Sequence, residues 1–163
     1  MRIIKDRKLV DDSFVHVADG EELPTYGDLI VSLDRYRELR AALHKRPGKV
    51  GVRLRSNQEA KLVADVAPEL AVIAIEFPGF KDGRGYSTAR LLRDRYGYKG
   101  EVRAVGDVLR DQLFYMERCG FNAFELKAGK DMEGAVNAFR EYSVTYQAAA
   151  DDPRPLFRRR EQP

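Results

Sequence analysis

The sequence predicts an α/β protein whose mostly parallel sheet of about five to six strands is flanked by helices, with an N-terminal β-hairpin. Five strand-helix alternations with short connections indicate this class, because parallel neighbours need a crossover that a helix supplies. The nearly continuous apolar run Leu70–Phe77 is typical of a central strand covered on both faces. With 163 residues, 44% of them hydrophobic, we expect a single domain over residues 1–150 and a basic, flexible tail over 151–163.

The first half of the chain follows this alternation from the N-terminus. Two β-prone runs around a charged turn in Ile3–Val10 predict the hairpin. Asp28–Ser32 reads as a buried strand, and apolar residues at helical spacing follow until Pro47. Lys49–Ser56 is the next strand, and the capping box SNQE at its end predicts a helix to about Ala67.

The second half repeats the pattern after the central strand. Helical spacing, β-prone runs and terminating glycines predict two helices and two strands in alternation, then a helix and a last strand. In chain order these are a helix through Ala89, Leu92 and Tyr96, strand Glu101–Val105, helix Leu109–Cys119, strand Asn122–Leu126, helix Met132–Tyr142 and strand Ser143–Gln147.

Two architectures fit this order of elements. An open three-layer sandwich is favoured, and a partial (β/α) barrel is the alternative. In both, ligands bind at the C-terminal ends of the parallel strands, beside the helix N-termini that follow. We therefore look for function at that edge of the sheet.

The loop after the central strand, KDGRGYSTAR, combines glycines, hydroxyls and arginines at a predicted helix start. These residue types suit a small oxyanion. Gly83 and Gly85 permit positive φ and a close approach of the backbone to a ligand, and free amides, hydroxyls and forked guanidinium donors can bind the anion together. The alternative is a structural turn in which Ser87 caps the helix and Asp82 bonds nearby amides. The spacing matches neither a dinucleotide fingerprint nor a P-loop. Together with the next strand end, the candidate ligand residues are Asp82, Gly83, Arg84, Gly85, Tyr86, Ser87, Arg90, Gly106, Asp107 and Asp111.

The mild net charge of +3 conceals a local basic segment. From Asp34 to Arg55 eight bases oppose two acids, a local net charge of +6. This pattern predicts either a solvated helix face or a docking surface for an acidic partner, formed by Arg35, Arg37, Arg40, Lys45 and Arg46. We expect no nucleic-acid binding, because no zinc-finger, RNP or helix-turn-helix pattern accompanies the charge.

Several chemistries lack the residues that they need. One cysteine and two separated histidines indicate no metal site, and no cofactor is evident. Cys119 is interpreted as a small core residue. No Ser-His-Asp or Cys-His arrangement is visible, so catalytic residues are unidentified and enzymatic activity is an open question. No apolar run suits a membrane span or signal peptide, which predicts a cytoplasmic protein.

The block FPGFKDGRGYSTARLLRDRYGYKGEVRAVGDVLRDQLFYMERCGFNAFEL, with DLIVSLDRY and KVGVRL before it and PLFRRR after it, resembles the bacterial domain of unknown function 934 family. The motif includes the ligand candidates above together with Arg93 and Gln112. Such proteins are commonly encoded beside assimilatory sulfite or nitrite reductase genes and are described as oxidoreductases of sulfite reduction. The first of two hypotheses is an accessory protein of sulfite reduction that binds a sulfite or nitrite reductase or an acidic electron carrier through the segment from Arg35 to Arg55, and the composition favours it because the chain supplies no evident redox centre. The alternative is an oxidoreductase-type enzyme with a small-oxyanion or phosphorylated-ligand site at the C-terminal edge of the sheet.

Overall fold

A computed structural model describes residues 1–160, so the last three residues of the predicted tail, 161–163, lie outside the described residues. One sheet of eight strands organises the chain. Its strands are β1 (Arg2–Lys5), β2 (Lys8–Asp11), β3 (Phe14–His16), β4 (Asp28–Ser32), β5 (Val50–Leu54), β6 (Val72–Phe77), β7 (Glu101–Gly106) and β8 (Ala123–Phe124).

The strand order is β2-β1-β8-β7-β6-β5-β4-β3. Strands β3 to β8 pair in parallel, each with its successor in sequence, whereas β1 pairs antiparallel with both β2 and β8. The predicted N-terminal hairpin is confirmed, with Asp6 and Arg7 at positive φ in its turn. The prediction of a mostly parallel sheet of five to six strands is wrong, because the hairpin joins it and makes the sheet mixed.

The favoured sandwich is also wrong, and the partial barrel is confirmed as a half-barrel. A doubly wound sandwich needs a reversal of strand order, which places helices on both faces. Here every crossover proceeds in the same direction, so right-handed connections leave all the helices on one face. The edge strands β2 and β3 are joined by only Asp12 and Ser13, which requires the sheet to curl back on itself.

The convex face carries the main core beneath the helices. These are α1 (Leu33–Lys45), α2 (Arg84–Asp94), α3 (Leu113–Cys119), α4 (Met132–Val136) and α5 (Leu156–Arg160). Helix α1 is capped by Ser32, whose hydroxyl accepts from the Arg35 amide, as the sequence pattern of an N-cap requires. Alternate residues of the strands, such as Val52, Ile73 and Ala104, are fully buried against these helices.

The concave face holds a second, smaller cluster of Ile30, Val72, Ala74 and Val105. Space there is narrow, because a Cβ atom added at Gly51 would lie 2.9 Å from the Val72 side chain. Gly51 therefore leaves room on this face for the Val72 side chain. Side chains, not helices, fill this interior.

Two smaller predictions fail for local reasons. The helix predicted from Ser56 to Ala67 is replaced by two 3₁₀ turns, and the Gln58 side chain accepts from the Arg55 amide. Residues 143–147 form no strand in the described chain, because Tyr146 and Gln147 direct their carbonyls to the Leu156 amide and the Arg118 side chain. The predicted boundary at residue 150 stays a prediction.

Candidate functional site

The loop between β6 and α2 is stabilised by its own charges. The Asp82 carboxylate accepts from Arg84 three times, from the backbone amide at 3.2 Å, from Nε at 3.0 Å and from Nη2 at 2.6 Å. The same Nη2 donates to Ser56 Oγ at 3.0 Å, which ties the loop to the end of β5. The guanidinium of Arg84 holds the pKa of the Asp82 carboxyl well below its usual range. Arg84 is thus already engaged by a carboxylate, and the turn interpretation accounts for this pair.

The glycines of this loop act differently from the prediction. Gly83 precedes α2 with φ −91°, and Gly85 lies inside the helix, so neither adopts positive φ. A Cβ atom at Gly85 would lie 2.6 Å from the Phe77 ring, whereas at Gly83 the nearest atom would be 3.9 Å away. Gly85 therefore permits close packing of helix on strand, not close approach of a ligand.

At the end of the adjacent strand β7, a carboxylate is again paired with a base of the chain. Lys127 Nζ donates to Asp107 Oδ1 at 2.9 Å, and this bond lowers the pKa of Asp107. Gly106 adopts φ +93°, and a Cβ atom added there would lie 2.4 Å from the Phe77 carbonyl oxygen, so only glycine fits this position. Asp111 has a side chain that is 87% exposed and lies 3.7 Å from Arg110 Nη1, and its role as a ligand residue stays a prediction.

Three predicted ligand residues lie away from the C-terminal edge of the sheet, in a pocket between α2 and α3. Tyr86, Ser87 and Arg90 line this pocket, whose volume is about 560 Å³. Ser87 lies within α2 and does not cap it, because the helix begins at Arg84. The predicted site is therefore split into a self-neutralised edge and a helix-helix pocket.

The opposite wall of the pocket was not predicted. It is formed by Tyr115, Arg118 and Cys119 of α3, and residues 147–149 cover the pocket. The predicted core position of Cys119 is wrong: the thiol is half-buried, and burial raises its pKa. Tyr115 and Cys119 are four residues apart, so helical spacing was the signal that could have grouped them.

The five predicted partner residues fall into three groups. Arg35 and Arg46 donate to backbone carbonyls of residues 18–24. Arg37 pairs with Asp65 at 3.5 Å, and Arg40 forms a bidentate pair with Glu69. Lys45 is exposed and forms no ion pair with a residue of the range 1–160.

The concave face contains a buried charge cluster that sequence reasoning missed. Arg103, fully buried, binds Asp12 through two bonds of 2.7 and 3.0 Å, Glu101 at 2.6 Å and Glu125 at 2.8 Å. Its guanidinium also lies over the Phe14 ring, 5.4 Å from the centroid. The alternation Glu101, Val102, Arg103 within an apolar strand was the signal, since a buried charge needs partners on the same face.

This cluster joins the two ends of the parallel strand series. His16 of β3 lies 2.8 Å from Glu125, the residue after β8. Burial alone raises the pKa of Glu125, but hydrogen bonds with His16 and Arg103 outweigh it and hold the pKa below its usual value. The cluster thus connects strands that do not pair with each other.

Two other charged residues face the C-terminal mouth of the half-barrel. Arg53 pairs in register with Ser32 and Ala74, and Glu76 pairs with Val105. Both are partly exposed, and neither side chain has a hydrogen-bond partner within residues 1–160. Among the described strands β4 to β7, they are the only charged residues pointing inward at this mouth whose side chains have no hydrogen-bond partner.

Within residues 1–160 no group of three or more His, Cys, Asp or Glu side chains is arranged to hold a metal ion. None of the helices there combines the length and the apolar character that crossing a bilayer demands.

Comparison with known proteins identifies the family without identifying an activity. The family model described as "bacterial protein of unknown function (DUF934)" matches residues 51–157, which is more than half of the chain. None of the curated proteins matches significantly, and no solved structure does. The match includes α2, α3 and the loop that carried the resemblance, and the chain belongs to the DUF934 family.

Proposed function

We propose that this protein is an accessory component of assimilatory sulfite reduction that binds a reductase or an acidic electron carrier. The observation that supports docking is the row of exposed cations along α1. Arg37 and Arg40 side chains are each 47% exposed although both are paired, and Lys45 is exposed without an ion pair in the described chain. The sulfite context comes from the family resemblance.

This surface stays positively charged after its ion pairs within the chain are counted. Asp19, Asp65 and Glu69 bind bases of the segment from Asp34 to Arg55 and lower its local net charge from +6 to +3. Exposed ion pairs bind weakly, so Arg37 can exchange Asp65 for a carboxylate of a partner at little cost. Such a surface steers an acidic protein toward it and favours fast, salt-sensitive association.

Salt dependence tests this function directly. We expect the protein to bind purified sulfite reductase or an acidic ferredoxin, with affinity at least about tenfold weaker in high salt than in low salt, because ions screen exposed charges. Lys45→Glu combined with Arg37→Glu is expected to weaken binding at low salt to a similar extent. Arg46 is unsuitable for the test, because its Nε and Nη1 atoms are enclosed.

The matched control is Lys130→Glu, which reverses an exposed charge on the loop after β8. It is expected to bind like the wild type. Equal affinity at both salt concentrations, or equal loss in the control and in the α1 variant, would contradict docking on α1.

The second candidate is an oxidoreductase-type enzyme with a small-oxyanion site at the C-terminal edge. Arg53 favours it, because this inward arginine lacks an acceptor among residues 1–160. Sulfite or sulfate would then stabilise the wild type more than Arg53→Ala at equal ionic strength. A flavin or haem spectrum of the purified protein would favour this candidate over the accessory role, and an identical anion effect in both proteins would exclude Arg53 from such a site.

A further inference from the structure

We propose that the pocket between α2 and α3 binds a small planar aromatic anion about the size of a mononucleotide. Its volume of about 560 Å³ lies within the range of about 300–1,000 Å³ that small-molecule sites occupy. Four other pockets on the described chain measure 410–470 Å³. The inference does not depend on the proposed docking through α1.

The walls of the pocket offer aromatic surface from Tyr86 and Tyr115. The Tyr86 ring of α2 and the Tyr115 ring of α3 contact each other, with their centroids 5.3 Å apart and their planes tilted by 48°. Tyr86 is supported from behind by Phe77, whereas the Tyr115 side is open, with 61% of that residue exposed. An aromatic ring lying on Tyr115 would remove this exposed surface from water and gain the offset contacts that aromatic pairs prefer.

One end of the pocket offers donors for a negative charge. Arg90 uses only Nε, in a bond to Asp94 of the same helix, so its two terminal nitrogens have no acceptor within residues 1–160. Ser87 lies one turn earlier on α2 and lines the same pocket. A fork of two N–H groups beside a hydroxyl suits a phosphate or carboxylate oxygen.

The cover of the pocket is held in place without the ligand. Arg118 is nine-tenths buried, and its guanidinium donates to Asp151 at 2.8 Å and to the Gln147 carbonyl. Its backbone carbonyl accepts from the Ala150 amide at 3.0 Å. The chain over the pocket is therefore fixed to α3 at three points. A preformed site spends less free energy on ordering when a ligand enters.

Calorimetric titration with FMN, AMP and inorganic phosphate tests the proposal. We expect FMN or AMP to bind at least about tenfold more tightly than phosphate, since stacking adds to the charge contact. Arg90→Ala is expected to weaken that binding about tenfold or more, because a charge-assisted bond is lost. Arg95→Ala removes an exposed arginine at the end of the same helix but outside the pocket, and it should bind like the wild type.

Two further measurements locate the ring. Tyr115→Ala should weaken FMN or AMP binding at least about fivefold, whereas Tyr115→Phe, which keeps the ring, should retain it. Occupancy by the probe should also slow alkylation of Cys119 by iodoacetamide. Absence of binding to both nucleotides at millimolar concentration, equal losses in Arg90→Ala and Arg95→Ala, or unprotected Cys119 at saturation would overturn the proposal.

Discussion

The concave face of the half-barrel and the pocket between α2 and α3 both contain arginines, but they use them differently. Arg103 on the concave face is fully buried and bound by three carboxylates, so none of its charge is available to a ligand. Arg90 in the pocket keeps both terminal nitrogens without a partner in the described chain. A buried charge must be neutralised by partners for the chain to fold, whereas a half-exposed charge is solvated by water and stays available to a ligand. The comparison separates an arginine that stabilises the fold from an arginine that is available for binding.

Replacing Arg103 should have the largest effect. Arg103→Leu leaves Asp12, Glu101 and Glu125 without their common partner, and loss of one member of a buried ion network costs about 3–5 kcal/mol. Urea unfolding measures this loss. Arg84→Leu is the matched control, since it breaks an ion pair in which the arginine is 61% exposed, and solvent-exposed pairs contribute far less to stability than buried ones. Similar losses in the two variants would contradict the distinction between buried and exposed arginines.

Gly85→Ala tests whether the loop glycines serve packing. The new methyl group would lie 2.6 Å from the Phe77 ring, and such overpacking costs about 1–3 kcal/mol. Gly83→Ala has open space and allowed φ, so its cost should stay below about 1 kcal/mol. Thermal unfolding of the two variants compares them, and a greater loss for Gly83→Ala would refute the packing role of Gly85.

The ionisation of Glu125 in the buried cluster should make the free energy of unfolding depend on pH in the acid range. The pKa of Glu125 is lower in the folded protein than in the unfolded chain. Its contribution to the free energy of unfolding is therefore fully present above the unfolded pKa of about 4.3, and it is lost as the pH falls through the folded pKa. Glu125→Gln should therefore flatten the decline of the unfolding free energy below about pH 4.3. An unchanged acid slope in Glu125→Gln would mean that this carboxylate does not couple folding to pH.

The smallest effect is expected for anions at the loop between β6 and α2. Asp82 already occupies Arg84, so Arg84→Ala should leave the stabilisation by sulfate unchanged when it is compared with wild type at equal salt. Thermal shift measurements over a sulfate series give the comparison. A loss of the sulfate effect in Arg84→Ala would restore this loop as an anion site.

Local patterns predicted much of the fold. The N-terminal hairpin, the strand Asp28–Ser32 and the apolar central strand all appear where hydrophobic periodicity and turn residues indicated them. The half-barrel was only an alternative, because periodicity reports which faces are buried and not the order in which strands pair. The 3₁₀ turns after β5 were missed because Gln58 binds the Arg55 amide in place of the predicted helix start.

The candidate site was less predictable for a related reason. Sequence proximity grouped Asp82, Arg84 and Arg90, yet helix α2 directs Arg90 into the pocket and leaves Arg84 at the sheet edge. The opposing wall, with Tyr115 and Arg118, is some thirty residues away in sequence and meets α2 only through tertiary packing. Two partners of Arg103 likewise come from distant parts of the sequence, Asp12 between β2 and β3 and Glu125 after β8, which no local spacing reveals.

Chemical-shift mapping of a titration with FMN or AMP tests the difference between the two faces most directly. We predict that backbone amides of Tyr86–Leu91 and Tyr115–Cys119 shift in proportion to occupancy, while those of β7 and of Asp12 remain unchanged. Shifts centred on Arg53, Glu76 and Arg103 would contradict the account, because they would make the interior of the half-barrel the binding site.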